Sequence, residues 1–227
     1  MAENILERVH ETYLTQENLA SKTAAYLELI APYNQREISF KIDSAGLVVV
    51  DMQRCFLEPG YPLYNSNGAA ILPNIKFLIE YFRKRKRPVV FAVQQNKGEF
   101  VDRGEVLSFW WPMVPLEGSL ETELAEGITS LPEEKVIPKR RYSAFYATDL
   151  ELTLRTMKVS QVVVAGLFTN VCVEATVRDA FMRDFFVFLP ADSCASLNEE
   201  LHLGSLRTIA LWFAKVLPTA ELTSQAG

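Results

Sequence analysis

Residues 161–180 constrain the fold more than any other stretch of the chain. They begin with the β-branched run Val162–Val164, which is typical of a strand buried on both faces, and Gly166 ends that run. Apolar residues at helical spacing follow, and this pattern predicts a helix that opens at Cys172. The segment therefore predicts a parallel strand, a tight turn and a helix, with a thiol at the carboxyl end of the strand. In open α/β sheets this is the edge at which ligands bind.

The alternation of strands and helices continues through most of the chain. The predicted strands are 45–51, 88–94, 135–138, 161–166, 185–189 and 215–217, and the predicted helices are 69–82, 121–126, 149–157 and 201–213. Such alternation predicts an α/β fold in which a mainly parallel central sheet is covered by helices on both faces. With 227 residues, the chain is long enough for one domain of this kind.

Two segments depart from this alternation. Residues 1–32 have the pattern of one or two amphipathic helices, and we interpret them as an N-terminal helical extension ahead of a single domain at 33–227. Residues 96–118 form a long irregular stretch with three glycines and many aromatic side chains. Loops of this length inside a compact domain are usually lids or binding loops. We therefore expect residues 96–118 to cover a pocket or a neighbouring subunit.

Charge and cysteine content argue against several classes of function. The net charge of −5 argues against a nucleic-acid partner. No apolar run reaches membrane-spanning length, the three cysteines offer no disulfide framework, and the first residues do not resemble a signal peptide. A cytoplasmic protein without membrane contact is therefore expected. The chain has only two histidines and neither a CxxC nor an HExxH motif, so we expect no metal site and no cofactor.

Three ionisable side chains lie where predicted strands end. Asp51 closes the first strand, Lys139 follows the strand at 135–138, and Cys172 follows the strand at 161–166. Because the carboxyl ends of parallel strands meet in one crevice, these groups are expected to lie together. An ammonium group and a helix N-terminus both favour thiolate over thiol, and a carboxylate can accept the thiol proton. The alternatives are a buried ion pair without a catalytic role and a cysteine that only packs.

Three blocks of sequence resemble the signature regions of the isochorismatase-like cysteine hydrolases. The blocks are DMQRCFLEPG at 51–60, KRRYSAFYATDL at 139–150 and GLFTNVCVEATVRDAFMRDFFVF at 166–188. The resemblance runs from about residue 46 to 217 and implies a three-layer α/β sandwich, which is Rossmann-like. It also implies a catalytic triad of Asp51, Lys139 and Cys172, and a non-proline cis peptide near Phe168-Thr169. Members of the family are commonly dimers or tetramers, so a homo-oligomer is expected.

The resemblance also implies residues that contact a small-molecule substrate. These residues are Phe56, Gln94, Trp110, Tyr142 and Phe168. Thr169 joins them because backbone N–H groups of the turn 168–171 are candidates for binding a developing oxyanion. The metal ligands of nicotinamidases are missing after the second strand, which favours a reaction without zinc or iron.

The resemblance is mixed with respect to the reaction. The GLFTNVCVEAT block is similar to amidohydrolases, in which a cysteine attacks a carboxamide, ammonia leaves and water hydrolyses the thioester. The KxRYSAF pattern, the SFWW segment and Gln94 are similar to isochorismatases, which cleave a vinyl ether with the aspartate as general acid and typically have glycine in place of Cys172. The expected function is a cysteine hydrolase that cleaves a C–N bond of a small carboxamide, carbamoyl or ureido compound. Isochorismate hydrolysis with Asp51 as general acid and a non-catalytic scaffold are the alternatives.

Overall fold

One parallel sheet forms the centre of the molecule. The computed structural model describes residues 8–111 and 113–225. Within them, seven strands form a single sheet in which all paired strands run parallel. The strands are β1 Ala45–Val50, β2 Val89–Gln94, β3 Lys135–Lys139, β4 Gln161–Leu167, β5 Phe186–Pro190, β6 Cys194–Ala195 and β7 Lys215–Leu217. The predicted α/β fold around a mainly parallel sheet is confirmed.

The helices connect and flank these strands. They are α1 Leu19–Ile30, α2 Arg54–Leu57, α3 Asn67–Lys84, α4 Gly104–Trp110, α5 Leu150–Thr156, α6 Glu174–Phe181, α7 Glu199–Trp212 and α8 Thr219–Ser224. Shorter 3₁₀ or π-helical turns lie at Ile42–Ser44, Glu99–Arg103, Leu120–Thr122, Thr169–Val173 and Ala191–Ser193. Within the described part of the chain, no helix combines the length and the apolar character that crossing a membrane requires.

The strand order creates a crevice between β1 and β4. The order is β3-β2-β1-β4-β5-β7, with β6 paired to β4. The chain therefore moves outward from β1 to β3 and then returns to the other side of β1. Because parallel crossovers are right-handed, the connections after β1 and after β4 lie on opposite faces of the sheet. The point at which the order reverses is where doubly wound sheets bind ligands, and here it lies between β1 and β4.

The two central strands approach each other so closely that one position requires glycine. All residues of β1 and β4 are buried, which agrees with their runs of valine. Gly166 pairs with Val50 and has φ +128°. A Cβ atom at Gly166 would lie 2.0 Å from the backbone oxygen of Val50. No side chain fits at this position without moving β1.

The N-terminal residues pack against helix α7. Helix α1 is in contact with α7, and both Lys22 and Tyr26 hydrogen-bond to Glu199 at the start of α7. Residues 8 and 9 are helical, residues 10–18 are irregular or turn, and residues 19–30 form α1. Residues 1–7 lie outside the described residues. The division at residue 32 stays a prediction.

The predicted helix at 121–126 is wrong. Only the 3₁₀ turn Leu120–Thr122 forms, and the next residues bond to the segment after β1 instead. The Ala125 N–H donates to the Met52 carbonyl at 3.0 Å, and the Arg54 N–H donates to the Glu123 carbonyl at 3.0 Å. A six-residue helix recovers little of its nucleation cost. Pairing with a neighbouring segment satisfies the same backbone groups.

The aromatic stretch 96–118 is more regular than predicted. It contains the π-helical turn Glu99–Arg103 and helix α4, and these expose large apolar side chains. The exposed side chains are Phe100, Val101, Val106, Phe109 and Trp110. Self-association of the chain stays a prediction, and this surface is the observation that motivates it.

The close approach at Gly166 gives a testable prediction. Gly166→Ala is expected to lower the free energy of unfolding by about 3 kcal/mol or more, because the new Cβ meets backbone and the φ angle is unfavourable. Urea unfolding followed by circular dichroism measures the effect. Gly204→Ala is the matched control, since a Cβ there meets no atom within 4 Å and the exchange in a helix stabilises by about 0.5–1 kcal/mol. A wild-type unfolding midpoint for Gly166→Ala would contradict the close approach of Gly166 to the backbone of Val50.

Candidate active site

Asp51, Lys139 and Cys172 lie together at the carboxyl edge of the sheet. The Nζ atom of Lys139 is 2.9 Å from Oδ2 of Asp51 and 3.3 Å from Sγ of Cys172. Lys139 thus contacts both other residues, and the charge of the Asp51 carboxylate acts on the pKa of the Cys172 thiol. All three residues are at most 2% exposed. Three groups that are far apart along the chain therefore form one buried cluster.

The sheet places each member of the cluster. Asp51 follows β1 directly and has a positive φ of 54°, Lys139 ends β3, and Cys172 lies in the turn after β4. Neighbouring strands lie about 4.8 Å apart, so β3 is roughly 10 Å from β1. Only a long side chain bridges that distance. The lysine side chain crosses the end of β2 to reach the switch point between β1 and β4.

Gln94, at the end of β2, hydrogen-bonds to both Lys139 and Asp51. Its Oε1 accepts a hydrogen bond from Lys139 Nζ at 2.9 Å, and its backbone N–H donates to Asp51 Oδ1 at 3.1 Å. Its Nε2 donates to Asn96 Oδ1 at 3.0 Å. Gln94 is fully buried. The structure thus brings this predicted substrate-binding residue into the cluster, where its polar atoms are engaged with protein groups.

The charges in the cluster depend on each other. Burial raises the pKa of the Asp51 carboxyl, and the adjacent Lys139 lowers it. Burial opposes the charge of Lys139, but the Asp51 carboxylate and Cys172 raise the pKa of this lysine above its ordinary value. Since an uncompensated buried charge is costly, the ammonium and the carboxylate form a neutral pair.

The thiol is held in its protonated form. Burial raises the pKa of Cys172, the carboxylate of Asp51 raises it further, and Lys139 lowers it. The sequence led us to expect a lowered thiol pKa, and this expectation is wrong because it included the lysine and the helix but not the burial or the adjacent carboxylate. Moving the proton from Cys172 to Asp51 leaves the net charge of the cluster unchanged. Lys139 faces the negative charge before and after that transfer.

Cys172 lies ahead of the helix that was predicted to open at this residue. It belongs to the π-helical turn Thr169–Val173, and α6 begins at Glu174. The hydroxyl of Thr176 donates to the carbonyl of Cys172 at 2.7 Å and ties the turn to α6. The cis peptide bond joins Leu167 to Phe168, next to the predicted position.

Aromatic side chains form a chain of ring contacts beside the cluster. Phe168 contacts Phe56 with ring centroids 5.5 Å apart, Phe56 contacts Trp111 at 6.2 Å, and Trp111 contacts Tyr142 at 6.0 Å. Burial raises the pKa of Tyr142, and the nearby Cys172 raises it further. The structure thus brings together the predicted residues Phe56, Phe168 and Tyr142, and Trp111 lies between Phe56 and Tyr142. We refer to Phe56, Trp111, Tyr142 and Phe168 as the aromatic cover.

Trp110 does not join this group. Its side chain is 73% exposed and packs on Phe109 with ring centroids 5.6 Å apart. Of the two adjacent tryptophans, Trp111 is the buried one, and the sequence did not predict this. Adjacent residues at the end of a helix point in different directions, so the correct choice depends on exactly where α4 ends.

A cavity of about 240 Å³ is lined by residues from the segments 55–63 and 103–121, and its lining does not include Asp51, Lys139 or Cys172. Its lining is mainly apolar, and Arg103 and Glu121 add two charged side chains. The cavity is lined by Cys55, Pro62, Leu63, Arg103, Met113, Val114, Leu116 and Glu121. Burial raises the pKa of the Cys55 thiol, and the charge of Asp51 raises it further.

Two further site predictions concern Thr169 and metal binding. Thr169 is fully buried, and a 2.8 Å hydrogen bond joins its Oγ1 to Nδ1 of His202. Its hydroxyl is therefore engaged with α7. Among residues 8–111 and 113–225, no group of three or more His, Cys, Asp or Glu side chains is arranged to hold a metal ion.

Known proteins are similar to this chain in sequence and in fold. Nicotinamidase 3 of Arabidopsis thaliana is 33% identical over 181 residues, which cover 78% of this chain and 86% of the relative. A probable isochorismatase of Pseudomonas chlororaphis is 28% identical over 191 residues, which cover 84% of this chain and 90% of the relative. The crystal structure of a cysteine hydrolase from Pseudomonas syringae pv. phaseolicola superimposes with a TM-score of 0.79 and 27% identity, covering 83% of this chain and 95% of that one.

The family assignment rests on most of the chain. The Isochorismatase domain matches residues 45–221, which span every strand of the sheet and all three members of the buried cluster. The whole segment ahead of β1 lies outside the match. The chain belongs to the isochorismatase family and is a hydrolase of that family.

Proposed function

We propose that the chain is a cysteine amidohydrolase that cleaves a C–N bond of a small carboxamide, carbamoyl or ureido compound. Cys172 is the nucleophile, Asp51 accepts and returns the proton, and Lys139 stabilises the negative charge on either partner. One observation carries the proposal: the ammonium of Lys139 contacts both the carboxylate of Asp51 and the thiol of Cys172 in a single buried cluster. The similarity to Nicotinamidase 3 supports hydrolysis of an amide.

The first half of the reaction forms a thioester. The proton of Cys172 moves to Asp51 as sulfur attacks the carbonyl carbon, and the carbonyl oxygen takes the negative charge. The C–N bond then breaks, Asp51 returns the proton to the leaving nitrogen, and ammonia or an amine departs. Each proton transfer takes place beside Lys139, so the buried cluster remains neutral before the attack and after the departure.

The second half releases the product. A water molecule attacks the thioester carbon and gives one proton to Asp51, and the C–S bond breaks as the carbonyl re-forms. The proton returns to the sulfur of Cys172, and a carboxylic or carbamic acid leaves. The same carboxylate thus serves as base and acid in both halves. This cycle requires neither a metal ion nor an organic cofactor.

A second candidate function is isochorismate hydrolysis. The observation that favours it is the raised pKa of Asp51, which burial produces. A carboxyl group that is protonated more readily can donate a proton to a vinyl ether, and this is the role that the resemblance assigns to the aspartate. In that reaction Cys172 has no chemical role, and this difference separates the two candidates.

Removing the thiol tests the proposal directly. Cys172→Ala is expected to lower ammonia release from a panel of small amides, carbamoyl and ureido compounds by more than about a thousand-fold. Cys194→Ala is the matched control, since Cys194 is equally buried but lies in β6 outside the cluster. Circular dichroism confirms that both variants fold.

Two outcomes of this experiment contradict the amidohydrolase proposal. An undiminished rate in Cys172→Ala removes the cysteine from the mechanism. Pyruvate release from isochorismate that survives Cys172→Ala and is abolished in Asp51→Asn assigns the vinyl-ether reaction instead.

Removing the carboxylate tests how the thiol is activated. In Asp51→Asn the charge that raises the pKa of Cys172 is gone, while Lys139, which lowers that pKa, is still present. The pH midpoint for alkylation of Cys172 by iodoacetamide is therefore expected to move down by about one unit or more, although hydrolysis falls at least roughly a hundred-fold. Peptide mass spectrometry follows the alkylation. A midpoint that stays in place or rises would show that Asp51 does not control the thiol.

A further inference from the structure

The turn that carries Cys172 is held by groups that lie outside the cluster. Thr169 is the first residue of this turn, and its hydroxyl forms the 2.8 Å hydrogen bond to Nδ1 of His202 in α7. The hydroxyl of Ser205, one helical turn further along α7, lies 3.3 Å from the Thr169 carbonyl and also hydrogen-bonds to the Glu174 carboxylate just after the turn. Helix α7 therefore fixes both the side chain and the backbone at the start of the turn.

His202 is itself enclosed by the N-terminal part of the chain. It is 1% exposed, and its ring lies 5.8 Å from that of Tyr13 and 5.2 Å from that of Tyr26. Burial lowers the pKa of His202 to about 3, so the ring is neutral. Its Nε2 has no hydrogen-bond partner among the described residues. Among the described residues, the hydrogen bond to Thr169 is therefore the polar contact that orients the imidazole.

A second connection links the same turn to the same N-terminal residue. The hydroxyl of Ser196 donates to Oδ1 of Asn170, and the N–H of Ser196 donates to Oη of Tyr13 at 2.9 Å. The N–H of Tyr13 in turn donates to Oδ1 of Asn67 at 2.9 Å. Two independent routes therefore connect Tyr13 to consecutive residues of the turn, Thr169 and Asn170.

Tyr13 and Tyr26 precede the region 45–221 that matches the family. We propose that His202 is a positioning residue that fixes the Cys172 turn through the Thr169 hydroxyl, and that the N-terminal segment around Tyr13 keeps His202 in place. This inference rests on the proposed function, because it treats Cys172 as the nucleophile. A reacting atom that is displaced by about 1 Å can lose roughly a hundred-fold in rate.

A double-mutant cycle tests the hydrogen bond. His202→Leu removes the imidazole, and Thr169→Val removes the hydroxyl while keeping the branched shape. Each is expected to lower kcat for ammonia release by about ten- to a hundred-fold with KM within about two-fold of wild type. The double variant is expected to lose no more than the worse single variant, since both remove the same bond. Losses that multiply would overturn the inference.

A conservative variant separates positioning from general stability. His202→Asn keeps a polar atom near the position of Nδ1 and is expected to recover most of the lost kcat. Ile209→Val truncates the core on the same helix, and its kcat is expected to stay within about two-fold of wild type. A folded His202→Asn that is as slow as His202→Leu would overturn the role of the hydrogen bond.

A second readout does not depend on hydrolysis. When the turn loosens, the thiol of Cys172 becomes more accessible, so alkylation by iodoacetamide at pH 7.5 is expected to rise about ten-fold in His202→Leu and in Thr169→Val. If wild type releases no ammonia from any compound of the panel, the proposed function fails and this comparison still tests positioning. Wild-type alkylation rates in both variants would overturn the inference. If His202→Leu does not fold, Thr169→Val and Tyr13→Phe, which removes the acceptor of the Ser196 N–H, provide the same comparison.

Discussion

The buried ammonium of Lys139 is the constraint on which the candidate site depends. A cation that is wholly removed from water must be paired, and the carboxylate of Asp51 2.9 Å away pairs it. That pair then fixes the state of the third group, because a thiolate in the same space would add a second, uncompensated negative charge. The thiol therefore stays protonated until its proton has a destination, and the adjacent carboxylate is that destination. The requirement that the buried cluster stay neutral therefore explains why the thiol is protonated before the reaction and why its proton moves to Asp51 during it.

The topology of the sheet makes this condition possible. The reversal of strand order at β1 and β4 opens a crevice in which Asp51 and the Cys172 turn face each other. Lys139 enters from two strands away, and Gln94 on the strand between them holds both the lysine and the aspartate. Each residue is placed by the end of a different strand. A shift of any one strand would therefore separate the three groups.

The sequence predicted the sheet, its parallel strands and the cluster of Asp51, Lys139 and Cys172, because runs such as VVV and strand-terminal polar residues carry that information locally. It did not predict what depends on contacts between distant segments. The pKa of Cys172 follows from burial, the choice of Trp111 over Trp110 follows from where α4 ends, and residues 123–125 pair with residues 52–54 instead of forming a helix. The positioning role that we propose for His202 was not predicted, because a lone histidine far along the chain carries no local signal.

The burial of Cys172 affects the same electrostatic interactions. Cys172 is 2% exposed, and the aromatic cover of Phe56, Trp111, Tyr142 and Phe168 lies beside it. Excluding water strengthens the attraction between Lys139 and the negative charge that moves from Asp51 to sulfur and then to the carbonyl oxygen. Of these four residues, Phe168 directly precedes the turn that carries Cys172, whereas Phe56 lies on α2, Trp111 follows α4 and Tyr142 follows β3. Helix α7 and the N-terminal segment hold the same turn through His202 and Ser196. The groups that fix the position of the thiol are therefore different from the aromatic side chains that exclude water from it.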